Sequence, residues 1–375
     1  MANLASGHRR GGFSLRLIVL LVLTSGRLMV PSNNHLRPRS EQFIADDPHA
    51  APRLIVTVDV EEQFDWERPI CTTNTNVTAV KRVSRAHRIF EAFKVTPTYV
   101  VDYPVATQPD GYRPLLELMG NGACLIGAQL HPWVSPPFDE PLTIHNSYAG
   151  NLPRDLESAK LRVLTDKIQE TLGVRPVIYK AGRYGIGNNT AGILAELGYR
   201  IDLSVYPHKD FRGDSGPDFR HLDVRPFWFG ERRELLCIPL TCGFTGSLWW
   251  HGSRLYPAVC GPLGATLHVP GILARLNLLN RVTLTPEGMR IDEAIDLTRS
   301  LLRRGIRIFS LAFHSPSLEP GNTPYVRDAR DLTLLLNWLS TYFEFFFGEI
   351  GGRPDTPISV LSDMETAAAR GRPPI

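Results

Sequence analysis

Several short segments of this chain set ionisable side chains where a strand would end. In Thr57-Val-Asp-Val-Glu-Glu, Asp59 and Glu61 stand two residues apart and would share a face if the strand continues. A carboxylate pair can divide its work, one member taking a proton and the other holding a metal ion. Leu130-His-Pro-Trp offers one imidazole, His131, beside a rigid proline and an aromatic wall, with Gln129 just before it. Phe313-His-Ser-Pro-Ser-Leu places His314 directly after an apolar run, where a group able to carry charge needs a reason to be. Asp102 follows Thr96–Val101, Arg183 and Tyr184 follow Val177–Lys180, and Asp202 lies within Ile201–Val205. Ionisable groups brought to one rim by five or six segments form the strongest chemical signal in the sequence.

The elements that must position these groups alternate along the chain. Short runs rich in β-branched or aromatic residues predict strands at Leu54–Val58, Thr96–Val101, Ala123–Ala128, Val177–Lys180, Ile201–Val205, Leu235–Leu240 and Ile306–Phe313. Helical periodicity falls between them, at Val80–Phe93, Tyr112–Met119, Leu156–Leu172, Thr190–Leu197 and Ile291–Arg304, and again at Leu332–Phe347. Strand alternating with helix implies a parallel sheet with helices outside it, and in such folds the carboxyl ends of the strands build the site. Seven strands suit either an incomplete barrel or an open doubly wound sheet. Residues 241–285 interrupt the alternation with glycines, prolines and Trp249-Trp250-His251, an insertion long enough to be a lid. Beyond Gly348 the tail is rich in Gly, Pro, Ala and Arg and is expected to be disordered.

As an ordered set, the segments beginning at Thr57, Ile126 (Ile-Gly-Ala-Gln-Leu-His-Pro-Trp), Tyr179 (Tyr-Lys-Ala-Gly-Arg-Tyr-Gly) and Phe313 resemble the polysaccharide deacetylases of the NodB-homology superfamily, or carbohydrate esterase family four. The resemblance spans about residues 53–347. It implies an α/β fold, a distorted seven-stranded (β/α) barrel, and metal-assisted hydrolysis of an N-acetyl group on a sugar. By position, Asp59 matches the base and His314 the acid. Glu61 and His131 match the ligands of a divalent metal, zinc in the first instance. Arg183, or else Lys180, matches the basic residue that orients the base, and Asp202 the acid that tunes its neighbours. Gln129, Trp133 and Tyr184 are the candidates for contacting substrate. The chain departs from the common pattern in two places. Gln129 and a single His131 replace two histidines, and Val60 replaces the second of two adjacent aspartates. Glutamine is a poor zinc ligand, so His145, Asp102 or another residue would have to complete the site. A carbohydrate-binding protein with a decayed site, or a cyclic amide hydrolase, are the alternatives within the same fold.

Composition narrows the rest. The 375 residues are 43% hydrophobic and 21% charged, which is a globular composition. A formal net charge of +3, without a dense basic stripe, does not indicate a nucleic-acid partner. No G-x-G-x-x-G after the first strand, Walker A loop, G-x-S-x-G elbow or H-E-x-x-H is present. Five cysteines without a C-x-x-C pair argue against a disulfide framework. No apolar run is long enough for an integral membrane domain. Residues 1–52 read as leader and linker, mostly disordered: Arg9, Arg10 and Arg16 precede the aliphatic run Leu17–Leu23, as in a short signal peptide, although a cytoplasmic location is favoured over export or anchoring. The partner that the resemblance implies is a carbohydrate substrate.

Overall fold

The computed structural model describes residues 38–44, 47–66, 68–261, 264 and 266–369. The signal-like run lies outside the described residues. Eleven strands are present among them: β1 (Arg53–Val60), β2 (Thr98–Val101), β3 (Leu125–Leu130), β4 (Ile178–Ala181), β5 (Ile201–Asp202), β6 (Phe227–Phe229), β7 (Leu235–Cys237), β8 (Cys242–Thr245), β9 (Asn280–Thr283), β10 (Ile308–His314) and β11 (Arg353–Asp355). The main sheet runs β10-β1-β2-β3-β4-β5-β7-β6, parallel throughout except that β6 is antiparallel to β7. Seven of its eight parallel strands are the seven expected, and the eighth, β11, lies beside β1. Helices such as Val83–Ala92, Arg154–Leu172 and Ile291–Arg303 join them. The fold is α/β, a curled parallel sheet approaching a closed barrel.

Closure between β7 and β10 relies on irregular backbone. Thr241 N–H donates to the Ser310 carbonyl at 3.0 Å, and Ser310 N–H donates to Thr241 Oγ1 at 2.8 Å. Leu284 then bridges onward, donating to the Thr241 carbonyl at 2.8 Å. Residues 284–287 are thereby laid beside the end of β10.

Side chains alternate across each strand, so one face of the curled sheet lines the interior. Ile55, Val100, Ile178, Ile201, Leu203, Leu236, Ile238 and Ile308 form that inner cluster. Leu54, Val56, Val58, Tyr99, Ala128 and Tyr179 face the surrounding helices in a second, larger one. Both faces are apolar, as a buried parallel sheet requires.

Two expectations about the periphery are corrected. The tail from Gly348 is not disordered over its described length: β11 pairs with β1 and the helix Pro357–Ala369 follows it. Val360, Leu361 and Met364 of that helix join the interior cluster and stop the base of the barrel. Arg53, buried at the start of β1, bonds Asp355 and also reaches Asp363 at 2.8 Å. The insertion is folded rather than irregular throughout. Its antiparallel pair β8–β9 rests against the helix Ile291–Arg303, where Ser300 Oγ donates to the Phe244 carbonyl at 3.4 Å. The linker is also partly structured, since Ile44 is buried and donates its N–H to the Pro226 carbonyl.

Candidate active site

Strand alternation carries Asp59 upward on the same face as Ile55, and it brings Lys180 up from Ile178 and His314 from Ile308. These side chains meet above the interior cluster. Lys180 Nζ donates to both Asp59 oxygens, at 2.7 and 2.6 Å, with both side chains almost wholly buried. A buried ion pair of this kind is held by geometry and fixes the carboxylate in place. Opposite it, His314 Nε2 lies 3.8 Å from Asp59 Oδ2. The other ring nitrogen, Nδ1, is 2.7 Å from Glu287 Oε2, and Glu287 Oε1 accepts from His314 N–H at 3.2 Å and from Ser317 Oγ. Burial acts against a charged imidazole here. The nearby Glu287, Glu61 and Asp59 carboxylates outweigh it, and the His314 pKa is pushed up to about 10.

His131 is oriented from behind. Its Nδ1 sits 2.8 Å from Glu62 Oε2, while Trp133 Nε1 donates to Glu62 Oε1 at 2.8 Å and stacks on the imidazole with centroids 4.4 Å apart. Asp102 caps the helix Tyr103–Thr107 through Val105 N–H and accepts a second bond from Glu62 N–H, each at 2.8 Å. Burial, first, pushes Glu62 up to about 7 and raises Asp102 well above the usual carboxylate range. This group is an internal network whose oxygens are already occupied. It leaves His131 Nε2 facing forward, 3.6 Å from Glu61 Oε2.

Gln129 lies at the centre. Its amide nitrogen is 3.4 Å from Asp59 Oδ2, 3.2 Å from Glu61 Oε2 and 3.3 Å from His131 Nε2. Asp59, Glu61 and His314 each present an atom within 4.8 Å of one another, as do Glu62, Asp102 and His131. Among the described residues, Glu61 Oε1 and Gln129 Oε1 are buried without a hydrogen-bond partner. The orphaned Glu61 oxygen belongs to the group Asp59, Glu61 and His314, whose chemistry fits a divalent ion. Burial chiefly, with Asp59 and Asp102 adding to it, pushes Glu61 up to about 7 against His314 and His131.

The remaining expected residues are placed differently. Arg183 does not meet Asp59. It and Tyr184 adopt left-handed backbone, with φ of 54° and 58°, and the turn directs Arg183 onto the Tyr148 ring and Ser147 Oγ. The cation on Asp59 is Lys180. Asp202 faces away from the interior and accepts from Ser204 N–H and Oγ, so it does not touch Asp59 either. Trp133 is a buried support for His131 and Glu62, though it also borders a cleft of about 480 Å³ walled by Phe64, Arg68 and Asn74. Tyr184 lies under Lys180, 5.2 Å from ring centre to Nζ. His145 is exposed and bonds Asn146, leaving it no part in the site. Trp249 and Trp250 make ring contacts with each other and, through Trp250, with His251. The aromatic wall beside the site is instead Trp66, edge-on to His314 at 5.7 Å and to Tyr325 at 5.8 Å.

Gly182 explains how β4 approaches β3 so closely. A Cβ there would overlap the His131 ring and lie 2.7 Å from the Leu130 carbonyl oxygen. Gly182→Ala is expected to push the imidazole off Glu62 and lower kcat/KM by more than about tenfold. Kinetics together with a thermal melt check this, because a normal rate in the variant would mean that His131 need not be where it is.

No protein-family model matches the chain, and no curated protein matches it. Solved structures similar to it include a candidate polysaccharide deacetylase from Mycobacterium smegmatis, 18% identical over 88% of this chain and 95% of that one, with a TM-score of 0.48. A 4-alpha-glucanotransferase from Thermococcus litoralis matches at 12% identity and a TM-score of 0.48, over 83% of this chain but 40% of its own. The peptidoglycan deacetylase PdaC from Bacillus subtilis matches at 12% identity and a TM-score of 0.41, over 87% and 96%. The chemistry of the site follows from its own residues.

Proposed function

We propose that this chain is an amide hydrolase that removes the acetyl group from an N-acetylated sugar of an oligo- or polysaccharide. The observation that carries the reading is the facing pair Asp59 and His314, 3.8 Å apart, each locked from behind by its own buried partner. In this reaction the Asp59 carboxylate accepts a proton from the attacking water as its oxygen bonds to the acyl carbon. His314 then delivers its Nε2 proton to the sugar nitrogen as the C–N bond breaks, and acetate and the free amine leave. Lys180 holds the base in place; Glu287 holds the acid and favours its protonated form. A divalent ion held by Glu61 and His131 would polarise the acyl oxygen and acidify the water. Trp66 offers a sugar face an apolar surface beside the acid.

One observation favours a second reading, a carbohydrate-binding protein with a decayed site: the Gln129 amide bridges three groups that a cation would otherwise join. Acetate release from a panel of N-acetylated oligosaccharides, before and after chelation, separates the two. Within the hydrolase reading His131→Ala is expected to cost far more rate than Gln129→Ala, about a hundredfold against tenfold or less. Equal losses would make the glutamine a direct participant. Glycan binding with no acetate from any substrate would move the assignment to the binder.

A further inference from the structure

The insertion carries a surface unlike the rest of the molecule. Of eleven large apolar side chains exposed among the described residues, four lie between residues 250 and 276: Trp250, Leu267, Ile272 and Leu276. Ile272 and Leu276 stand one turn apart at the helix Val269–Arg275, and Trp250 leads into the helix Gly252–Val259 beside it. The charge pattern is equally one-sided. The chain holds 38 Asp and Glu in 375 residues, which would place about five in any stretch of 52, yet residues 235–286 contain none. Arg254 and Arg275 are exposed on the same two helices, and neither has an ion-pair partner among the described residues.

We propose that this face docks on an anionic lipid surface. Aliphatic and indole side chains flanked by arginines, with no carboxylate among them, suit the headgroup–acyl boundary, where apolar groups enter and cations meet lipid phosphates. Leu267, Ile272 and Leu276 have no stacking surface to offer a sugar. A second copy of the chain fits less well, since pairing this face with itself would set arginines against arginines without an acid from the segment to relieve them. No helix among the described residues is long and apolar enough to cross a membrane, so the contact is peripheral.

The test is co-sedimentation of the full chain with phosphatidylcholine vesicles, with and without phosphatidylglycerol. The chain is expected to pellet with the anionic vesicles and to be released by salt. Arg254→Glu with Arg275→Glu is expected to cut partitioning about tenfold or more, and Ile272→Ser with Leu276→Ser to do likewise, with thermal melts unchanged. Binding that survives in both variants would assign the membrane contact to the leader run Leu17–Leu23 and overturn the proposal. An apolar variant that converts a dimer to a monomer without lipid, while vesicle binding is absent, would overturn it in favour of self-association.

Discussion

Asp59→Asn is expected to lower kcat/KM for acetate release by about a thousandfold, while leaving the fold in place. The amide has the carboxylate's shape and can keep its carbonyl oxygen toward Lys180 Nζ, which now bonds both carboxylate oxygens. What it loses is the capacity to take a proton from water. The contrast with His131→Ala is informative, because the histidine variant retains the base and should respond to added metal whereas Asp59→Asn should not. Steady-state rates, with circular dichroism and a thermal melt as folding controls, decide the matter. A rate within a few fold of the unmodified chain would remove Asp59 from the proton-transfer role.

Glu287→Gln should move the alkaline limit of activity downward. His314 must be protonated to act as the acid, so its activity is present below its pKa and lost above it. In the unmodified protein that pKa is pushed up to about 10 against the opposing effect of burial, with the Glu287 carboxylate the foremost raising influence. The amide retains an acceptor near Nδ1 but no charge. The alkaline limb of kcat/KM should therefore fall from near 10 toward neutrality, with a modest loss at pH 6 and a far larger one at pH 9. Stability follows the same sign. A histidine whose folded pKa is raised contributes stability fully present below the unfolded value, about 6.5, and lost as pH rises through about 10. The variant's melting deficit should accordingly be larger at pH 6 than at pH 10. Superimposable pH profiles would show that Glu287 does not govern the acid.

Much of this site could be read from the sequence because it obeys a local rule. Asp59, Glu61, Gln129, His131 and His314 stand at or just past the carboxyl ends of strands whose apolar runs are plain. The same periodicity, taken one step further, separates Lys180 from Arg183. Lys180 shares the parity of inward-facing Ile178, whereas Asp202 has the parity opposite to inward-facing Ile201 and Leu203. Arg183 fell outside that reasoning because two residues after β4 adopt left-handed backbone, and nothing in Gly-Arg-Tyr requires it. Nothing in the sequence marks Glu62 as buried; the packing of Trp133 and Asp102 makes it a support for His131. Glu287 was least visible. It reaches His314 because residues 284–287 are hydrogen-bonded beside β10, a tertiary adjacency with no signature in one sequence. Trp66 is hidden in the sequence for a similar reason, since its loop folds back over His314. The order of the tail is not legible because Gly, Pro and Arg around residues 351–354 suggest disorder, while β1 offers that segment an unfilled edge.

The stoppered base of the barrel bears on how the chain is made. β1 is among the first structured segments to emerge during synthesis, but its partners Arg353–Asp355 and the helix that covers Ile55 and Ile178 come about 300 residues later. At about 5–20 residues per second, the bottom of the sheet stays open to solvent for roughly 15–60 s after its first strand appears. During that interval the nascent chain shows an apolar opening ringed by unpaired strand edge, which invites chaperone binding or mispairing with a neighbouring chain. Residues 353–369 thus end the period of greatest vulnerability.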